Sequence, residues 1–223
     1  MPRRLLADSF FQANTIKGHR YLDDAGKIMN RWDSEFPTKD VGLGGLLMTN
    51  PNAMLRELRV DNRTIWIHLY FPETISQIID LSVNITEEIC EIIDVKQFSR
   101  LGLRLNFIHD LGDSGNMLDS VGSNIFSSQC LELAKTFGTS GGFDFALALT
   151  TKDILITLHV AAIKKRREAK LDKDLPESGV LVDADIFREG TSYLDDMKRF
   201  SRLAKDWVDS ELPKMEKILF KRQ

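Results

Sequence analysis

Cysteine is scarce: Cys90 and Cys130 are the only two in 223 residues. Two thiols make no disulfide framework and suit a reducing cytosol. No apolar run approaches the ~20 residues of a membrane span. The opening residues, Met1-Pro2-Arg3-Arg4-Leu5-Leu6-Ala7-Asp8, begin basic but lead into no apolar stretch. No secretion signal is therefore expected, and the triplets Asn62-Arg63-Thr64 and Asn84-Ile85-Thr86 carry no glycosylation meaning. A dominant charge is also missing. Thirty Lys and Arg against 33 Asp and Glu leave a net charge of −3. Broad attraction to nucleic acid or to an anionic membrane is excluded on that balance.

The signatures of common chemistries are missing as well. There is no HExxH, no paired cysteine motif and no Gly-x-Ser-x-Gly elbow. The glycine-rich stretches 42–45 and 138–142 are not followed by Lys-Ser/Thr, and neither makes GxGxxG between a strand and a helix. His19, His68, His109 and His159 are scattered, so no metal and no cofactor are expected. His109-Asp110 is either part of a site or a surface turn. The expectation is a cytoplasmic, non-enzymatic protein.

What is present is alternation. In Arg100-Leu101-Gly102-Leu103-Arg104-Leu105-Asn106-Phe107 every second residue is apolar. Such a strand has one dry face and one face carrying two cations, an amide and a bare backbone patch. The hydrophobic fraction of 43% suffices for a core behind it. Further strands are expected at 5–16, 54–61, 63–71, 98–109, 128–137, 143–150, 153–161 and 180–187. The pairs 54–61/63–71 and 143–150/153–161 read as hairpins. Helices are expected at 21–32, at 73–93 and from Thr191 or Ser192 onward, the last kinked or split by Pro213. Val41-Gly42-Leu43-Gly44-Gly45 reads as a flexible link. Short turns make antiparallel neighbours, and long amphipathic helices must cover one sheet face. The fold class is therefore α+β, a mainly antiparallel sheet from two hairpin-plus-long-helix units with helices on one face. One unit over 1–223 is expected, with pseudo-repeat halves at 1–110 and 128–223.

Arg100-x-Gly102-x-Arg104-x-Asn106 resembles the Arg-x-Gly-x-Arg-Tyr-x-Asn signature of an uncharacterised, sporadically distributed family of bacterial and archaeal proteins. Phe36-Pro37 is similar to that family's early Phe-Pro. Leu181-Val182-Asp183-Ala184-Asp185-Ile186-Phe187 is similar to its Leu-Asp-Ile-Asp-Val strand before a long terminal helix. Leu105 stands where the family has Tyr. The resemblance implies a prokaryotic cytoplasmic α+β protein and no particular activity, substrate or cofactor.

The candidate ligand-binding residues follow from spacing. Arg100 and Arg104 project from one face of their strand, as Asp183 and Asp185 do from theirs. If the strands adjoin, the four form either a self-satisfied ion-pair lattice or a cleft for a small anionic or mixed ligand, with Asn106 beside it. Gly102 permits close approach of a ligand or of another backbone, or relieves crowding under a large neighbour. Trp66, His68 and Tyr70 share the second face of their strand, as a pocket wall, a second core face or a subunit interface. Lys164-Lys165-Arg166-Arg167 is followed by acidic residues and reads as a solvated loop rather than a nucleic-acid contact. The functional expectation is a protein-binding or assembly module with a protein partner or homo-oligomer, or else a small-molecule pocket between sheet and C-terminal helix. An Asp-based metal-dependent hydrolase or nuclease is the third alternative.

Overall fold

Residues that alternate in the sequence alternate in the structure. The computed structural model describes residues 2–16, 18, 21–111, 121–126, 129, 132, 144–151, 153–164, 176 and 178–221. The strands are β1 (Arg3–Thr15), β2 (Thr38–Gly42), β3 (Gly45–Thr49), β4 (Leu55–Val60), β5 (Thr64–Tyr70), β6 (Gln97–Asp110), β7 (Asp144–Thr150), β8 (Leu155–Lys164) and β9 (Ser178–Tyr193). The described helices include α1 (Tyr21–Arg31), α2 (Ile75–Ile92), α3 (Leu194–Ser210) and α4 (Leu212–Leu219), with a short helical turn at Ser123–Ile125. All nine strands join one sheet in the order β2-β3-β4-β5-β1-β6-β9-β8-β7, and every paired neighbour is antiparallel.

The apolar positions set which face is covered. Phe11 and Ala13 of β1, Ile65 and Ile67 of β5, Leu101 to Phe107 at alternate positions of β6, and Val182 and Ile186 of β9 are buried. They merge with Ile28, Ile78, Ile85, Met197 and Phe200 from the helices into one core cluster. The helices therefore pack on one face of the sheet, and the polar positions of the same strands form the other. Isoleucine is a mediocre helix former, so α2 depends on this burial and on its cap. Thr74 supplies the cap, accepting from the Gln77 amide at 3.1 Å.

The sheet has an internal equivalence. Outward from the β1–β6 pair, the order is β5, β4, β3 on one side and β9, β8, β7 on the other. The registers agree as well. Phe11 faces Leu103 at the centre. Phe11 then leads through Ile67 and Leu58 to Met48, and Leu103 leads through Ile186 and Ile156 to Leu149. Ile78, Ser82, Ile85 and Ile89 lie at the same steps from the α2 cap as Met197, Ser201, Ala204 and Val208 do from the α3 cap, and all are buried. Strand order, register and buried helix positions thus correspond on the two sides of the Phe11–Leu103 pair.

Several local expectations are corrected. The 41–45 stretch is not a link but the tight end of the β2–β3 hairpin. Gly45 sits at φ +136°, and a Cβ there would lie 3.0 Å from the Val60 carbonyl oxygen, so glycine is required. Within 128–137, expected to be a strand, only Gln129 and Glu132 are described, and both are helical. Thr191 and Ser192 finish β9 instead of opening a helix; Tyr193 is the cap, and its amide donates to Asp196 at 2.9 Å. Pro213 sits in the first turn of α4, so it splits the two helices rather than kinking one. Residues 138–142 and 165–167 lie outside the described residues.

Candidate functional site

Strand pairing brings β6 and β9 side by side, with Arg104 opposite Asp185, Asn106 opposite Asp183 and Gly102 opposite Phe187. The guanidinium groups do not take the carboxylates directly across the ladder. Arg104 reaches diagonally, with Nε 2.9 Å from Asp183 Oδ1 and Nη2 2.5 Å from Oδ2, a two-point fork. Arg100 takes Asp185 instead, Nη2 to Oδ2 at 3.1 Å, and lies 4.7 Å from the centre of the Phe187 ring. The Asp183 side chain is 7% exposed and the Arg104 side chain 53%. The hydrogen bond to Asp183 holds Arg104 more firmly cationic than a free arginine. Burial pushes Asp185 above the ordinary carboxylate range, and the charges of Arg100 and Arg104 only partly offset it.

β1 completes the site from the other side. Gln12 lies opposite Gly102, and Phe10 opposite Arg104. Gln12 Oε1 accepts from Arg100 Nη1 at 3.3 Å, while its Nε2 donates to Asn14 Oδ1 at 2.8 Å. Phe10 stacks on two β5 rings, Trp66 at 5.3 Å and 24° and His68 at 4.4 Å and 20°, which themselves lie 5.7 Å apart at 43°. His68 Nε2 lies 2.7 Å from Asp8 Oδ1, and Tyr70 meets His68 edge-on. These groups border a depression of about 350 Å³ lined by Phe10, Gln12, Trp66, Arg100, Gly102, Arg104 and Asp185.

Of the residues singled out by the sequence, Arg100, Gly102, Arg104, Asp185 and Trp66 line the depression. Asp183 stands behind it as the counter-ion of Arg104. His68 and Tyr70 extend the aromatic row without lining the cavity. Asn106 lies outside, and its buried Oδ1 has no hydrogen-bond partner among the described residues. Phe10 and Gln12 were missed, because Asp8-Ser9-Phe10-Phe11-Gln12-Ala13-Asn14 runs polar-polar-apolar-apolar at its start and shows no clean alternation. The depression opens on the face away from α3.

The crowding explanation for Gly102 does not hold. A Cβ there would meet nothing nearer than 3.8 Å, the Arg100 Cζ and Phe187 Cβ atoms. That is ordinary van der Waals contact, and Gly102 is not among the positive-φ glycines.

A larger depression of about 450 Å³ lies where the start of β1 meets the start of α2 and the middle of α3. Both of its cations are engaged, Arg4 with Glu216 and Lys205 with Asp209. His109 is no surface turn: it is 2% exposed, with Nε2 3.2 Å from Glu216 Oε1 and the Phe220 ring 4.5 Å away. Arg4 Nη1 lies 3.2 Å from both Glu216 oxygens, so this trio clamps α4 to the sheet. Burial pushes Glu216 upward, but the His109 contact and the Arg4 charge together hold it below the usual carboxylate range. Among the described residues no group of three or more His, Cys, Asp or Glu is placed to hold a metal ion, and no helix is long and apolar enough to cross a membrane.

Compared with known proteins, the chain matches no family model and no curated sequence.

Proposed function

We propose that the protein is a non-enzymatic binding domain whose ligand seats over Gly102 on the open sheet face. The observation that carries this reading is the glycine. Glycine inside a strand costs about 0.5–1 kcal/mol relative to alanine. Neither crowding nor backbone conformation asks for glycine at 102, since a Cβ fits there without close contact. A missing side chain between an aromatic wall and two arginines instead keeps room in the depression that a ligand can use. The volume of about 350 Å³ falls within the ~300–1,000 Å³ of small-molecule sites. The test is a thermal-shift screen of a metabolite library on the wild type and on Gly102→Leu. Compounds that stabilise the wild type and leave the variant unmoved are the expected result. A screen with no such compound removes this reading.

A second reading, a protein-binding or assembly module, is favoured by the half-exposed Arg104 beside the Phe10–Trp66–His68–Tyr70 row on the open face. Aromatic residues and arginine are enriched at interface centres. Light scattering on the wild type and on an Arg104→Glu/Trp66→Ser variant tests it through the oligomeric state. The cytoplasmic setting belongs to the same proposal. Cys90, a buried thiol pushed up to about 12 by burial and then by Glu87, is unreactive and suits a reducing compartment.

A further inference from the structure

We infer that the ligand of the Gly102 depression is a planar heteroaromatic ring of the purine type, carrying a hydrogen-bond acceptor beside a donor on one edge; this rests on the depression being the binding site. The first support is the wall. Phe10 stacks on Trp66 and on His68, which are tilted 43° to each other, and Phe10 and Trp66 border the cavity. A flat ring extends such a stack with no rearrangement.

The second support is the crossed ion pairing. Arg104 and Asp185 are direct cross-strand neighbours, yet each spends its strong bonds elsewhere. Among the described residues, Arg104 Nη1 and Asp185 Oδ1 have no hydrogen-bond partner. One donor of Arg104 and one acceptor of Asp185, on adjacent strands, are thus left out of both ion pairs. The complementary ligand edge has an acceptor beside a donor, as the pairing edges of guanine and adenine do.

The third support is charge. Arg100 and Arg104 are met by Asp183 and Asp185, so the site is close to neutral and a bare small anion gains little there. An uncharged ring keeps both ion pairs and adds stacking and edge bonds. Gly102 is buried beside the Arg100 guanidinium and adds no side chain to the depression that the ring would fill.

A free nucleoside and an unstacked base of single-stranded nucleic acid present the same ring. The experiment is calorimetric titration of the full chain with guanosine, with adenosine and with a short single-stranded oligoadenylate at two salt concentrations. At least one nucleoside is expected to bind with a sub-millimolar Kd. Gly102→Leu should abolish that binding, and Trp66→Leu and Asp185→Asn should each weaken it by about tenfold or more. Circular dichroism confirms that each variant is folded. An oligonucleotide that binds far more tightly, with strong salt dependence, makes nucleic acid the source of the ring. Salt-independent binding of the nucleosides makes the free compound the source. No response to either nucleoside at millimolar concentration overturns the ring assignment, as does binding that Asp185→Asn and Trp66→Leu leave unchanged. If library compounds still distinguish the wild type from Gly102→Leu, the depression remains the site and only its ligand chemistry falls. If they do not, both fall.

Discussion

Arg104 is joined to Asp183 by a two-point fork, although the β6–β9 register sets Arg104 opposite Asp185. The diagonal choice has a measurable consequence. In a double-mutant cycle, Arg104 should couple more strongly to Asp183 than to Asp185. The single substitutions should also be unequal. Arg104→Ala leaves a nearly buried carboxylate without its partner and should cost about 1–3 kcal/mol. Asp183→Ala leaves a half-exposed guanidinium that water can solvate, so it should cost less. Urea melts of the two singles and the double decide it. Equal costs with additive effects would mean that the fork does not exist in solution.

Two carboxylates should bend the pH profile of stability in opposite directions. Asp185 has a raised folded value, chiefly from burial, so the native state holds its proton where the unfolded chain has released it. Its contribution therefore falls as pH rises from the ordinary 3.8 through the higher folded value. Burial opposes ionisation of Glu216 too, but His109 and Arg4 outweigh it and the folded value is lowered. Its contribution is present above the ordinary 4.5 and is lost as pH falls through the folded value. Denaturant midpoints measured across the acid range should show Asp185→Asn removing a downward slope with rising pH. Glu216→Gln should remove an upward one. Slopes of the same sign for both would contradict the two environments.

Much of this architecture was legible from alternation. β5 alternates between buried and half-buried residues along its whole length, and β6, β8 and β9 alternate over most of theirs, because one face of each strand belongs to the core. The β2–β3 hairpin was not legible. Its turn is Leu43-Gly44, closed by the Gly42–Gly45 pair, and glycine content alone does not separate a tight turn from a link. The Arg and Asp pairs were found from their spacing, because residues two apart on a strand share a face. Their crossed partnering was not, since it depends on how far a guanidinium leans along the ladder and on the Phe187 ring beneath Arg100. Phe10 and Gln12 join the site only through the β1–β6 pairing, a long-range contact that no local pattern reveals.

Two glycines separate space from conformation. At Gly102 a Cβ meets only ordinary contacts, so Gly102→Ala should hold or raise stability by up to about 1 kcal/mol. At Gly45 the backbone stands at φ +136° and the Cβ would press on the Val60 carbonyl oxygen. Gly45→Ala should therefore cost more than about 1 kcal/mol. Thermal melts of the two variants should move in different directions. A loss at Gly102 as large as that at Gly45 would show that the fold, and not a ligand, needs the glycine there.

The matched helices α2 and α3 carry buried hydroxyls at equivalent steps, Ser82 and Ser201, and neither has a hydrogen-bond partner among the described residues. A buried hydroxyl without a partner gives up water and gains nothing in return. Removing the oxygen also leaves the small volume that lets the two helices approach. Ser82→Ala and Ser201→Ala should therefore each be neutral or stabilising, by up to about 1 kcal/mol. The double variant should be close to additive if the two hydroxyls do not bond each other. A marked loss in both singles that the double does not increase would point to a shared hydrogen bond or a bridging water between the helices. Chemical melts of the three variants, read against Ala204→Gly as a control for lost packing at the same helix face, separate these outcomes.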